Sequence, residues 1–414
     1  MKVRPALLGV LVSVAVFSLG SDLPCRGAGQ AQTPTWQRVF DGRDADSGYC
    51  VQQTSDGGYI LLGSTCSGNA WPDFWLIKVD SEGEKEWDRT YGGGGKDRGY
   101  SVQQTEDGGF VLLGETHKSK DEMGYWLIKT DSRGNEQWDK IFDTPDYGDA
   151  IGYCVRQTED GGYVLLGITA GVEECDSDEY VAWLVKTDAR GNRQWDRLLY
   201  RTYKRSFAGR TSDLPLESYA YSVQQTEDGG YVLVGKTEVY GAPEYDAWLV
   251  KISAGDSKQW DKSFGTTEGS EVAESVLQTS DGGYILLGYT DSYGAGYSDF
   301  WLIKTDSAGK KQWDKTFGWS SGDHGYSVQQ TSDGGYILLG SAVMYNGAGE
   351  ADFWLVKIDA DGREQWARSF GGTKGDSGRC VQTTSDGCYV MVGYTLSYRA
   401  GESDVLLVKY CPDE

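Results

Sequence analysis

Ser55–Gly63 reads SDGGYILLG, and the rest of the chain repeats it. The phrase returns as EDGGFVLLG, EDGGYVLLG, EDGGYVLVG, twice more as SDGGYILLG and last as SDGCYVMVG, with its aspartate at Asp56, Asp107, Asp160, Asp228, Asp281, Asp333 and Asp386. A tryptophan keeps step with it at Trp36, Trp87, Trp138, Trp195, Trp260, Trp313 and Trp366. A period of about fifty residues, with one longer interval between Asp160 and Asp228, marks a repeat architecture in which each unit buries its apolar face on the next. One large domain therefore replaces the roughly two or three that length alone would suggest.

Within a unit, alternation and turn residues predict four strands: Tyr100–Thr105, Phe110–Thr116, Tyr125–Asp131 and Glu136–Phe142. Glu106-Asp107-Gly108-Gly109 joins the first to the second, its glycines supplying positive φ and its aspartate bonding nearby amides. Ser132-Arg133-Gly134 joins the third to the fourth in the same way. Four antiparallel strands per unit make a propeller blade. The fold class is therefore all-β, a seven-bladed β-propeller. The ends support closure, because Thr35–Phe40 (TWQRVF) matches a fourth strand while Asp404–Tyr410 (DVLLVKY) is a third strand lacking its outer neighbour. The N-terminal strand is predicted to complete the last blade and leave no unpaired edge.

Lys2 and Arg4 precede an apolar run, Ala6–Leu19, too short and wrongly flanked for a membrane span. Residues 1–31 read as a secretory signal and 32–414 as the propeller domain, with small residues permitting cleavage after Gly20 or Ala31. No other stretch could span a membrane. The expected location is extracellular or at the cell surface, as a monomer. The net charge of −23 repels phosphate backbones and excludes nucleic acid as a partner.

Eight cysteines in an exported chain are read as disulfides. Hairpin neighbours predict Cys50–Cys66, Cys154–Cys175 and Cys388–Cys411, leaving Cys380 with Cys25 as a partner if the signal is cut early. Two histidines, His117 and His324, in different units and no Cys-x-x-Cys pair speak against zinc.

The units, DGGY followed by an apolar strand and then W-L-x-K-x-D, resemble the extracellular β-propeller repeat proteins of bacteria and archaea, from Trp36 to Tyr410. That resemblance implies the fold and little chemistry. Asp131, Gly134 and Trp138, with Asp80/Gly83/Trp87, Asp188/Gly191/Trp195, Asp306/Gly309/Trp313 and Asp359/Gly362/Trp366, are similar to the tryptophan-docking motif of quinoprotein propellers. The likeness implies ties between blades rather than a quinone site, since an adjacent cysteine pair and a larger ring are missing. Ser253 departs from it in the fourth unit.

Strand direction puts the tight turns on one face and the longer connections on the other, where function on a propeller usually lies. That variable face carries acids at matching positions, Asp46, Asp97, Asp149, Glu271, Asp323 and Asp376, read either as caps on local amides or as an acidic ring at the channel mouth that would suit calcium. It also carries Trp71, Tyr240, Tyr293, Tyr345 and Tyr398, read as sugar-stacking residues or as loop anchors. The insertion Arg197–Tyr219 is basic, read as a solvated loop or a docking element for an anionic partner. With no catalytic constellation, no cofactor motif and scarce histidine, the chain is expected to be a binding module for glycan or a cell-surface protein, and not an enzyme. Two rivals remain: a glycoside hydrolase or lyase using carboxylates at the channel mouth, and a structural surface protein without a small ligand.

Overall fold

A computed structural model describes residues 34–412 apart from 43, 67–70, 120–121, 144–148, 171–179, 208–209, 241–243, 344–349 and 399–401. The signal segment, Cys25, Cys175 and Tyr345 lie outside the described residues. Seven four-stranded antiparallel sheets follow one another along the chain, at 47–91, 97–142, 150–199, 218–264, 271–317, 324–370 and 376–410, the last completed by Trp36–Phe40. The N-terminal strand pairs with Asp404–Tyr410 from Trp36↔Lys409 to Phe40↔Val405. First strands line a central channel. Second and third strands are almost wholly buried, which is why their apolar runs barely alternate, while fourth strands leave most of their residues exposed or half-buried.

One ion pair recurs in every blade. The buried third-strand lysine reaches the aspartate of the DGG turn, as Lys78–Asp56, Lys129–Asp107, Lys186–Asp160, Lys251–Asp228, Lys304–Asp281, Lys357–Asp333 and Lys409–Asp386, at 2.6–3.1 Å. The same carboxylate accepts from a threonine hydroxyl and a glycine amide of its own turn, as Asp107 does from Thr105 and Gly109. These partners hold Asp107, Asp160, Asp228, Asp281 and Asp333 down at about 2, against the cost of partial burial. The phrase DGGY…K is thus one interaction, written once in each unit.

Successive blades are joined by fourth-strand tryptophans. Trp36, Trp87, Trp138, Trp260 and Trp313 each lie against the positive-φ glycine of the next blade's Asp-x-x-Gly turn, where any Cβ would strike the indole. Most also meet the DGGY aromatic of that blade, as Trp36 meets Tyr59 at 5.9 Å and Trp138 meets Tyr163 at 6.0 Å. The expected tie between blades is found at these five glycines, each meeting the tryptophan of the preceding blade rather than that of its own unit. In the fourth blade, which lacks the motif, Asp256 takes the left-handed conformation in place of glycine.

The cysteines correct one expectation. Cys388–Cys411 is a disulfide, but Cys50 and Cys66 are free. The register running from the DGG turn pairs Cys50 with Leu62, so Cys66 lies four residues further along the ladder, about 13 Å away. Cys50 turns instead toward the next blade, its thiol donating to Val102 O, and the buried thiol of Cys154 donates likewise to Val223 O. Cys154 is also free, and its predicted partner Cys175 lies outside the described residues.

A third-strand indole donates to the aspartate after the fourth-strand tryptophan in five blades: Trp75 to Asp88, Trp126 to Asp139, Trp183 to Asp196, Trp248 to Asp261 and Trp301 to Asp314. The sixth blade carries Ala367 at that position, and Trp354 Nε1 is buried without a partner. Replacing Ala367→Asp should therefore supply the acceptor and stabilise the protein by about 1 kcal/mol. A thermal melt should read this as a rise of roughly 1–3 °C; an unchanged or lower Tm would show that the indole gains nothing from the carboxylate.

Candidate functional site

Every first strand carries a bulge at the same place, seen as a register shift across Gly48/Cys50, Gly99/Ser101, Gly152/Cys154, Ala220/Ser222, Ala273/Ser275, Gly325/Ser327 and Gly378/Cys380. A bulge re-aims the extra side chain. The seven bulged residues are Tyr49, Tyr100, Tyr153, Tyr221, Glu274, Tyr326 and Arg379, all half-buried. Ring closure sets them side by side: Tyr49, Tyr100, Tyr153 and Tyr221 follow one another at centroid distances of 5.1, 5.4 and 5.5 Å. Arg379 lies 4.2 Å from the Tyr326 ring and 5.8 Å from Tyr394. Five phenols, one carboxyl and one guanidinium therefore ring the channel.

Burial pushes Glu274 up to about 7, with Arg379 and Lys236 pulling the other way. Behind Tyr100 stands Glu115, 3.3 Å from its hydroxyl, and Lys96 lies 3.3 Å from the same carboxylate. Arg379 Nε and Glu115 Oε2 are both buried without a hydrogen-bond partner. Toward the tight-turn face the channel continues as a cavity of ≈350 Å³ lined by glutamines, Arg156 and Leu277. Its glutamines tie blades together: Gln52 accepts from the Gln104 amide at 2.6 Å, Gln103 from Gln157 at 2.7 Å and Gln224 from Gln278 at 2.6 Å.

The acids of the fourth-to-first connections do not form an open ring. Asp46, Asp97, Glu271, Asp323 and Asp376 are at most 3 % exposed. Each accepts from a backbone amide four or five residues earlier, Gly42, Gly93, Thr266, Trp319 and Gly372 respectively. Asp149 is half-buried at the corresponding place in the third blade. The sequence reading offered capping and a channel-mouth site, and the geometry of the five is capping.

The aromatic rim is different. All the exposed large hydrophobic residues among those described, Trp71, Tyr240, Tyr293, Tyr297 and Tyr398, lie in second-to-third connections of the variable face. Three are propped from behind: Tyr240 stacks on Tyr203 at 4.4 Å, Tyr293 lies 5.5 Å from Trp301, and the Tyr398 hydroxyl donates to Gly371 O at 2.7 Å. Tyr203 belongs to a two-stranded hairpin, Thr202–Phe207 with Arg210–Pro215, which is what the basic insertion forms. Arg197 and Arg201 beside it are paired with Asp256 and Asp261 of the fourth blade.

No family model matches the chain, and no curated protein does. Among solved structures, it is similar to a puromycin hydrolase S511A mutant complexed with PGG, at 12 % identity and a TM-score of 0.54, over 86 % of this chain and 51 % of that one. It is similar to YCF48 bound to D1 peptide at 11 % identity and 0.51, over 93 % and 98 %. An alpha-L-arabinanase of Penicillium chrysogenum complexed with arabinobiose aligns at 12 % identity and 0.47, over 74 % and 92 %. The first two likenesses support the propeller fold. The first also corrects the expectation that the chain is not an enzyme, because a hydrolase shares this fold over about half of its length, so the fold is compatible with enzymes.

Two sets of carboxylates should give stability a maximum in mild acid. Burial raises Asp352 to about 7, with Asp376 adding its charge, and burial raises Asp323 to about 6. Between the unfolded value near 4 and these folded values the native state holds more protons, so stability falls as pH rises from about 5 to 7. The turn aspartates at about 2 act oppositely, their contribution being present above pH 4 and lost as pH falls through about 2. Denaturant melts across pH 2–8 should peak near pH 4–5; a plateau rising steadily to pH 8 would contradict the assignment.

Proposed function

We propose that the variable face binds a glycan chain outside the cytoplasm, the exposed aromatic rim stacking on sugar rings while the channel ring bonds hydroxyls. The observation that carries the proposal is the confinement of every exposed large hydrophobic residue among those described to one set of loops on that face. Unpartnered Arg379 Nε and Glu115 Oε2 at the ring add polar groups that a hydroxyl-rich ligand would satisfy. Tyr240 and Tyr293 rest on other rings, so binding orders little that is not already ordered. The Cys388–Cys411 disulfide suits an oxidising location.

Glu274 favours a second reading, cleavage of the bound chain. A carboxyl poised at about 7 suits a general acid, and it is one of two carboxylates associated with the channel ring, with Glu115. The two readings share a ligand and differ in turnover.

A glycan array followed by titration of the best ligand tests both. Replacing Trp71, Tyr240, Tyr293 and Tyr398 together by alanine should weaken binding roughly 30-fold or more while Tm stays within about 3 °C. Glu274→Gln should keep binding; if the ligand is hydrolysed, that variant should lose about 100-fold or more in turnover. An array without hits, or a rim variant that binds as well as the parent, would reject the proposal.

A further inference from the structure

The residue after each first-strand bulge is, in ring order, Cys50, Ser101, Cys154, Ser222, Ser275, Ser327 and Cys380. Its hydrogen bonds run to the next blade. Cys50 donates to Val102 O at 3.6 Å, Cys154 to Val223 O at 3.8 Å and Ser327 to Val381 O at 3.5 Å, while Ser101 accepts from the Val155 amide at 3.2 Å and Ser275 from the Val328 amide at 3.3 Å. A side chain here is therefore laid against the matching stretch of the neighbouring first strand, so its chemistry is met by whatever that strand carries.

Cysteine follows cysteine at a single junction. Cys154 stands between Ser101 of blade 2 and Ser222 of blade 4, whereas Cys380 of blade 7 precedes Cys50 of blade 1. That junction is the closure seam, where strands at opposite ends of the domain become neighbours. The Cys380 thiol lies 3.7 Å from Val51 O, the carbonyl of the residue after Cys50. It is directed at the Cys50 sulfur as well. That hydrogen bond holds Cys50 down at about 7 against the cost of burial, with the positive charge of Arg156 helping, and it holds Cys380 up. Both are half-buried thiols, and both line the channel cavity together with Arg156.

We propose that Cys50 and Cys380 form a disulfide that joins the first strand of blade 1 to that of blade 7 and locks the ring covalently. The oxidant is a small disulfide entering by thiol–disulfide exchange. Cys50, as the thiolate, attacks one sulfur of the oxidant and releases the other half as a thiol once it takes up a proton. Cys380 then gives up its proton and displaces the half bound to Cys50, so the new S–S bond forms as two electrons and two protons leave with the oxidant as two thiols. A link spanning almost the whole domain restrains the unfolded chain far more than Cys388–Cys411, whose separation is 23 residues. The cross-link is independent of glycan binding.

Full-length protein is equilibrated with oxidised glutathione, its remaining thiols are alkylated under denaturing conditions, and its peptides are mapped without reduction. One peptide pair should be joined through Cys50 and Cys380. Serine is the resident residue of this position at Ser101 and Ser327, so the double variant Cys50→Ser/Cys380→Ser should fold and keep Cys388–Cys411. It should melt roughly 5–10 °C below the oxidised parent. In excess dithiothreitol the two should melt within about 2 °C of each other, because the link that separates them is gone. Cys50→Ser alone should show the same loss and leave Cys380 alkylated. Alkylation of both cysteines in the oxidised parent, or a link from either to another cysteine, would overturn the cross-link. Equal melting of the oxidised parent and the double variant would overturn its role in holding the ring shut.

Discussion

The structure depends on one strand pairing, Trp36–Phe40 against Asp404–Tyr410. A third strand without an outer neighbour would leave a row of unpaired amides and carbonyls at the end of the chain. Pairing removes that edge, and it also carries Trp36 onto Gly83 and Tyr59 of the first blade. The first and seventh blades thereby become neighbours, and so do their channel strands: Gln53 accepts from the Ser385 amide, and Cys380 donates to Val51 O. Only a closed ring places Arg379 in the same circle as Tyr49.

Stability and variation are separated by strand direction. On the tight-turn face, each aspartate must meet its own turn and a buried lysine at once, so a change at Asp107 or Lys129 removes several bonds together. At the seams, glycines hold indoles that would reject a Cβ. The opposite face carries connections whose backbone is pinned at the strand entrance by a buried acid, leaving the loop beyond free to differ from blade to blade. The exposed aromatics and the hairpin Thr202–Pro215 are found there.

The repeat made the fold legible. Glycines at fixed offsets, apolar runs for buried strands and the mismatch of the two ends each pointed to the same ring. Cys50 illustrates what was not legible, since the register from the DGG turn opposes it to Leu62 rather than Cys66, and its thiol, next to the bulge at Tyr49, faces the next blade. That bulge also hid the channel ring. Tyr49, Tyr100, Tyr153, Tyr221, Glu274, Tyr326 and Arg379 stand at one position of a strand that reads as ordinary alternation, and only the departures Glu274 and Arg379 from tyrosine could have marked it. The acids Asp46 to Asp376 were visible as a set, but burial, which separates a cap from an open site, is a property of the folded neighbourhood.

Closure is tested most directly by moving the strand. Deleting residues through Phe40 should expose the strand Asp404–Tyr410, and the protein should aggregate or lose cooperative unfolding. Appending Trp36–Phe40 after the C-terminus through a short flexible linker should restore a monomer with a single sharp melt. A truncated chain that melts as the intact one does, or a permuted chain that stays aggregated, would contradict a ring held shut by this pairing.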